Sequence, residues 1–335
     1  MRKKEQIQQR IDKLIEDKVL YGASYSFINI AKEEEYAYYR GVQGVIEPYH
    51  NRKIRQGMLY DMASLSKIIG TFVRVMQLID EGKIDFDTKI KDILELFSYE
   101  DITIEQLLLH QSGLPAEVMK KEQLTKENII SYVYNTKREQ EAGKECIYSD
   151  VGYILLGFII EKLDQCSLED SYYRHIFLPL KMNHTSFFVK KEEIEEGMVL
   201  PTEYTKKRGC ICGEIHDSKA YLLGQSGSAG LFSTLEDCII FIKAYLKEDE
   251  RLFSKLLFDK IKEKNSFKRT YGWSKEYGDS ILYHTGFTGT SMLLDVEKKE
   301  AFVLLTNCIH PTREKQRFME AREQINKLWL SALEE

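Results

Sequence analysis

The chain has 335 residues, is 43% hydrophobic with 11% aromatic content, and carries a formal net charge of −5 at pH 7. That length exceeds an average domain and the apolar share is enough to bury a sizeable core. The acidic balance argues against nucleic acid as a partner. No apolar run reaches the roughly 18 residues of a membrane span; the longest runs from Val151 to Ile160.

At the N-terminus, Glu5, Asp12 and Glu16 break any apolar stretch, so MRKKEQIQQRIDKLIEDKVL does not read as a secretory leader. Ile7, Ile11, Leu14 and Ile15 instead follow helical spacing. Two strands are expected next, Ala23 to Ile30 and Glu35 to Val42, joined by the polar link Ala31-Lys32-Glu33-Glu34. From Ser64 the pattern turns helical, with Ile68, Ile69, Phe72, Val73, Met76 and Ile79 on one face and Gly82 as the stop. Shorter helices are expected over Thr103–His110, Lys126–Tyr134, Val151–Leu163 and Leu235–Leu246. Strands return at Ile281–His284, Ser291–Val296 and Ala301–Thr306, before a last amphipathic helix over Arg313–Leu333.

This order predicts an α+β fold. Residues 1–60 and 268–335 would form one antiparallel sheet flanked by terminal helices, residues 61–267 a mainly helical lobe, and the site would lie in the cleft between. The six cysteines, Cys146, Cys166, Cys210, Cys212, Cys238 and Cys308, are scattered. Without a leader they are expected to be reduced thiols in a cytoplasmic protein. Cys210, Cys212 and His216 make half a zinc site at most, since no second Cys/His cluster completes it. No metal or cofactor is expected.

Among the serines only Ser64 has a lysine three residues later, Lys67. On a helix the two share a face, and a desolvated lysine can act as the base that a serine hydroxyl needs. Ser64 also stands where extended chain gives way to helix, which aims backbone N–H groups at developing negative charge. A plain helix cap is the competing account of Ser64. Tyr148-Ser149-Asp150 precedes an apolar helix: a tyrosine hydroxyl beside a lysine can carry a proton, and Ser-Asp is equally a capping sequence. His284-Thr285-Gly286-Phe287 closes a strand that could offer its backbone to a substrate, with Gly286 allowing close approach.

Taken in order, Ser64-x-x-Lys67, Tyr148-x-Asp150 and His284-Thr285-Gly286 resemble the class C β-lactamase and D,D-peptidase superfamily, with its S-x-x-K, Y-x-N and K-T-G or H-T-G motifs. The segments 61–67, 107–115, 148–157, 227–234 and 284–290 look like this group too, so the resemblance covers about residues 20 to 310. It implies a β-lactamase/transpeptidase-like fold and a penicillin-binding-protein-like serine hydrolase. Ser64 would be acylated, Lys67 its base and Tyr148 the proton carrier; Ser64 and Phe287 N–H groups would form the oxyanion hole. Thr285 would bond a substrate carboxylate or carbonyl, and Asp150 replaces the usual asparagine with a charge that favours protonated Lys67.

His284 replaces a permanent cation by a group mostly neutral at pH 7, which is expected to charge on acidification to pH 6. The expected substrates are small esters, D-Ala-type peptides or β-lactams. The alternatives are a sensor-like relative acylated with little turnover and a zinc hydrolase on Cys210, Cys212 and His216. An α/β-hydrolase is excluded because the Gly-x-Ser-x-Gly elbow is missing.

Overall fold

The computed structural model describes residues 3–118 and 124–331. Helix α1 (Lys3–Glu16) leads into a hairpin of β1 (Gly22–Asn29) and β2 (Glu34–Gly41). Its turn is closed by the Lys32 N–H donating to Asn29 Oδ1 at 2.9 Å. The helices that matter for the site follow: α2 (Phe72–Asp80), α3 (Ile104–Leu108), α4 (Asp150–Asp164), α5 (Ser218–Leu223) and α6 (Leu235–Leu246). Strands β3 (Ile281–Thr285), β4 (Ser291–Asp295) and β5 (Glu300–Thr306) and helix α7 (Gln316–Leu330) complete the chain order.

These five strands form one antiparallel sheet in the order β2-β1-β5-β4-β3, and two short strand pairs lie outside it. The period of two along a strand divides β1 between two cores. Ala23, Tyr25 and Phe27 face α1 and α7, where they join Ile7, Ile11, Phe302, Leu304, Phe318, Ile325 and Trp329. Ile28, Ala301, Val303 and Leu305 belong to the larger cluster, which also takes in the apolar faces of α2, α4 and α6. Every residue of β1 is therefore buried, whereas β2 at the sheet edge is half-buried or exposed.

Helix ends follow local chemistry. Thr103 and Gln106 make a reciprocal capping box at the start of α3. Among the described residues no helix is long and apolar enough to cross a membrane. The last helix stops at Leu330, so the expected extension to Leu333 lies outside the described residues in part. The continuous helix expected from Ser64 is corrected by the structure: a 3-10 turn (Ala63–Leu65) and a π-turn (Lys67–Thr71) precede α2. The wide π-turn is a local departure that periodicity does not encode.

The helical region is tied to itself by a buried cation. Arg74 on α2 is inaccessible and donates from Nε and Nη2 to the two oxygens of Asp164 on α4, at 2.8 and 2.7 Å. Asp164 is itself 3% exposed, so removing its partner leaves a buried charge uncompensated. Arg74→Ala is expected to lower the unfolding free energy by about 3–5 kcal/mol, measured by urea denaturation. A loss below about 1 kcal/mol would show that water or Lys83 replaces the guanidinium.

Candidate active site

Ser64 sits in the 3-10 turn and Lys67 opens the π-turn that follows it. Across this junction Lys67 Nζ stands 3.1 Å from Ser64 Oγ. The residue before Ser64 is held in an unusual conformation: Ala63 has φ +46°, a left-handed value that an alanine rarely adopts. Several bonds hold it there. Its N–H donates to Asp61 Oδ1 at 2.8 Å, and its carbonyl accepts from Ser66 Oγ at 2.7 Å. Ser66 Oγ in turn accepts from the Leu231 N–H at 3.0 Å. Strain that the surroundings over-determine in this way is typical of a working site.

Lys67 is fully buried, and its ammonium donates to Asp150 Oδ1 at 2.8 Å and to the Ser228 carbonyl at 2.7 Å. The carbonyl reaches it because the 226–230 segment crosses α4 at close range. A Cβ on Gly227 would stand 2.1 Å from the Tyr153 carbonyl oxygen, which only glycine avoids. Burial works against the charge on Lys67, yet Asp150 and then Tyr148 outweigh it and hold the ammonium above its ordinary range. Burial likewise opposes the charge on Asp150, and the two lysines Lys67 and Lys219 overcome it, holding that carboxyl below its usual range.

Tyr148 lies over this pair with its ring centroid 5.1 Å from Lys67 Nζ. It stacks on His110 at 4.3 Å, and His284 and Arg269 flank it at 6.1 and 5.7 Å. Ser149 caps α4, accepting from the Gly152 N–H at 3.1 Å, while its own N–H donates to His110 Nδ1 at 2.9 Å. The capping account of Ser149-Asp150 and a role for Asp150 at Lys67 are therefore compatible, because the cap uses Ser149 alone.

Strand β3 forms the sheet edge beside Ser64. A Cβ on Gly286 would stand 2.5 Å from the Met62 carbonyl oxygen, so glycine lets the strand end close on the Ser64 turn. Thr288 Oγ1 donates to the Asp61 carbonyl at 2.8 Å and Thr290 Oγ1 to that of Met62 at 3.3 Å. The Phe287 N–H has no backbone acceptor among the described residues, and the Phe287 ring is partly exposed between His216 and Lys315.

His284 differs from what its sequence setting suggests. It is 4% exposed, and burial, then Arg269 and Lys67, push its imidazolium well below the ordinary histidine range. Burial and these cations therefore oppose the charging on acidification that its residue type suggests. Nδ1 faces the Thr285 carbonyl at 3.1 Å and must donate the proton there, which leaves Nε2 as an acceptor.

The cleft over Ser64 measures about 280 Å³ and is bordered by Tyr148, Asp150, Lys219, Phe287 and Arg313. A groove of about 640 Å³ beside β2 and α6 is larger but lined by Tyr39, Glu236 and Ile239, without a serine–lysine pair. Cys210, Cys212 and His216 do not assemble. His216 Nε2 pairs with Glu203 at 2.9 Å, Cys212 Sγ faces the Val199 carbonyl, and among the described residues no three His, Cys, Asp or Glu side chains are grouped to hold a metal. Sequence reasoning gave no role to Asp61, His110 or Ser228, although they lie in the segments 61–67, 107–115 and 227–234, and it missed Lys219, which lies outside all of them.

The family model described as Beta-lactamase matches residues 7–325. The chain belongs to the beta-lactamase family. Membership makes it a serine hydrolase by class, with the β-lactamase/transpeptidase-like fold. This beta-lactamase-family chain is 25% identical over 356 residues to a Bacillus subtilis (strain 168) protein named N-acetylmuramyl-L-alanine amidase, covering 90% of this chain and 81% of that one. It superposes on a beta-lactamase/D-alanine carboxypeptidase from Pseudomonas syringae with a TM-score of 0.78 and 15% identity, covering 99% of both chains. It also superposes on an octameric penicillin-binding protein homologue from Pyrococcus abyssi with a TM-score of 0.76 and 23% identity, over 97% of this chain and 77% of that one.

Proposed function

We propose that the protein hydrolyses small esters, D-Ala-type peptides or β-lactams through an acyl-enzyme on Ser64. The observation that carries this reading is the buried ammonium of Lys67 at 3.1 Å from a hydroxyl that opens on a cleft. In the forward step Ser64 Oγ attacks the substrate carbonyl; its proton passes to Lys67 once that amine has been deprotonated, or along Tyr148 to the leaving group. The N–H groups of Ser64 and Phe287 hold the oxyanion, and Thr285 bonds a substrate carboxylate or carbonyl. Water then takes the place of the leaving group and releases the acid. The names borne by the relatives, an amidase and a β-lactamase/carboxypeptidase, agree with acyl transfer of this kind.

Intact mass after brief exposure to an activated ester or a penicillin tests it: an adduct of the acyl mass that decays with product release is expected. An adduct that forms and never decays supports a second reading, an acylated sensor with little turnover. That reading is favoured by one observation, the charged resting state of Lys67, which must lose its proton before it can act as a base.

Substrate choice is expected to favour a short-chain nitrophenyl ester over a cephalosporin in kcat/KM. Neutral His284 cannot supply the charge-assisted bond to a β-lactam carboxylate, a loss of about 1.5–3 kcal/mol or roughly tenfold to hundredfold in rate. Because burial opposes a charge on His284, the ratio of the two kcat/KM values is expected to change less than about twofold between pH 7.5 and 6. Steady-state rates on both substrates decide it; a preference for the cephalosporin would remove His284 as a handicap.

A further inference from the structure

Lys219 lies on α5, outside every motif of the sequence, yet its side chain is 8% exposed and its ammonium stands 3.0 Å from Asp150 Oδ2. The other oxygen of the same carboxylate takes Lys67 at 2.8 Å. One half-buried carboxylate thus joins two ammonium groups, and a second, Asp217 Oδ2, stands 3.4 Å from Lys219.

The position of Lys219 is built, not accidental. Asp217 caps α5, accepting the N–H groups of Lys219 and Ala220 at 3.0 and 2.9 Å. One residue earlier the His216 N–H donates to Asp61 Oδ2 at 2.8 Å, while Asp61 Oδ1 accepts from Ala63 at the same distance. A single carboxylate therefore fixes both the turn that presents Ser64 and the segment that presents Lys219.

We propose that Lys219 is a positioning residue: by sharing Asp150 it weakens the hold of that carboxylate on Lys67 and so sets the pH at which Lys67 becomes a base. The inference rests on the reading of Ser64 and Lys67 given above. Among the described residues Asp150 is the one carboxylate paired with Lys67. Tyr148 and Tyr153 present their rings to Lys67 at 5.1 and 5.7 Å. His110 and His284 face it from the α3 loop and from β3, with burial opposing a charge on each and Arg269 beyond them. On the other side Glu117 and Asp217 act on Lys219. Taking away Lys219 leaves the whole charge of Asp150 on Lys67, which favours the ammonium; a charge change at this range moves a titration by about 1–3 pH units.

The test is the kcat/KM–pH profile on a neutral short-chain ester for the full chain and for Lys219→Gln, Lys219→Arg and Asp217→Asn. Lys219→Gln is expected to move the acid limb up by about one unit, a roughly tenfold loss of kcat/KM at pH 6.5, with the alkaline plateau within about twofold of the parent. Lys219→Arg, which keeps the charge, is expected to restore the limb. Asp217→Asn still caps α5 and leaves Lys219 wholly to Asp150, so its limb is expected to move down. This opposite shift decides the matter if Lys219→Gln fails to fold.

A limb unmoved in both Lys219→Gln and Asp217→Asn overturns the proposal. So does a uniform loss at all pH values, which marks a structural lysine, or a raised KM confined to anionic substrates, which marks a substrate anchor. Intact mass of the parent separates the two levels. If Ser64 is acylated but the limb stays put, only the role of Lys219 falls; if no Ser64 adduct forms, both readings fall.

Discussion

Ser64→Ala is expected to abolish ester turnover, by about 10⁵-fold or more, and to leave no acyl adduct in the intact mass. Among the described residues the side chain of Ser64 makes one hydrogen bond, from Lys67 Nζ. Lys67 keeps Asp150 and the Ser228 carbonyl when the hydroxyl is gone, so the fold should be unchanged. An unaltered thermal midpoint with lost turnover separates chemistry from stability. An adduct surviving in the variant would move the reaction to another hydroxyl. Ser66 would be a poor choice, since it is buried and its hydroxyl is already engaged by Ala63 and Leu231.

Tyr148→Phe is expected to slow turnover by about two to four orders of magnitude while the acylation site stays in place. The ring is held by contacts that do not involve its hydroxyl: the stack on His110 at 4.3 Å and the Arg269 guanidinium at 5.7 Å. Phenylalanine preserves both, so the measured change reports proton transfer. Comparing an activated nitrophenyl ester with an alkyl ester sharpens the test, because the poorer leaving group needs the proton more. Equal losses on both would place the hydroxyl in positioning Lys67 instead, and a near-normal rate would give the proton transfer to Lys67 or water.

What the sequence discloses divides along physical lines. The paired strands read correctly because a period of two in Tyr25, Phe27, Phe302 and Leu304 directly states which face is buried. Ser64 and Lys67 are legible because three residues separate them, a spacing that local turns bring together. Lys219 and the Ser228 carbonyl are not: they meet Asp150 and Lys67 only after α4, α5 and the 226–230 segment pack, and nothing in their own neighbourhoods signals it. His284 shows the same limit from the other side. Its type suggests a pH-responsive group, and only the folded state shows the burial and the nearby cations that oppose its charge. The π-turn after Ser66 and the left-handed Ala63 are likewise departures from regular helix that a periodic pattern conceals.

The central pairing of the sheet has a consequence for how the protein reaches its working form. Strand β1, at residues 22–29, takes β5, at residues 300–306, as its inner neighbour. Few contacts in a chain of this size span more sequence, and such pairings are slow because ring closure must precede any gain. On a ribosome the N-terminal hairpin emerges with only α1 available to cover the apolar face of Tyr25 and Phe27, and waits for the last sixth of the chain to bring β5 and α7. The edge strand that brings Thr285 and Phe287 beside Ser64 belongs to that same late portion. A nascent chain thus carries Ser64 and Lys67 long before it owns the wall that completes their cleft, so on the proposed reading reactivity and the final closure of the sheet arrive together.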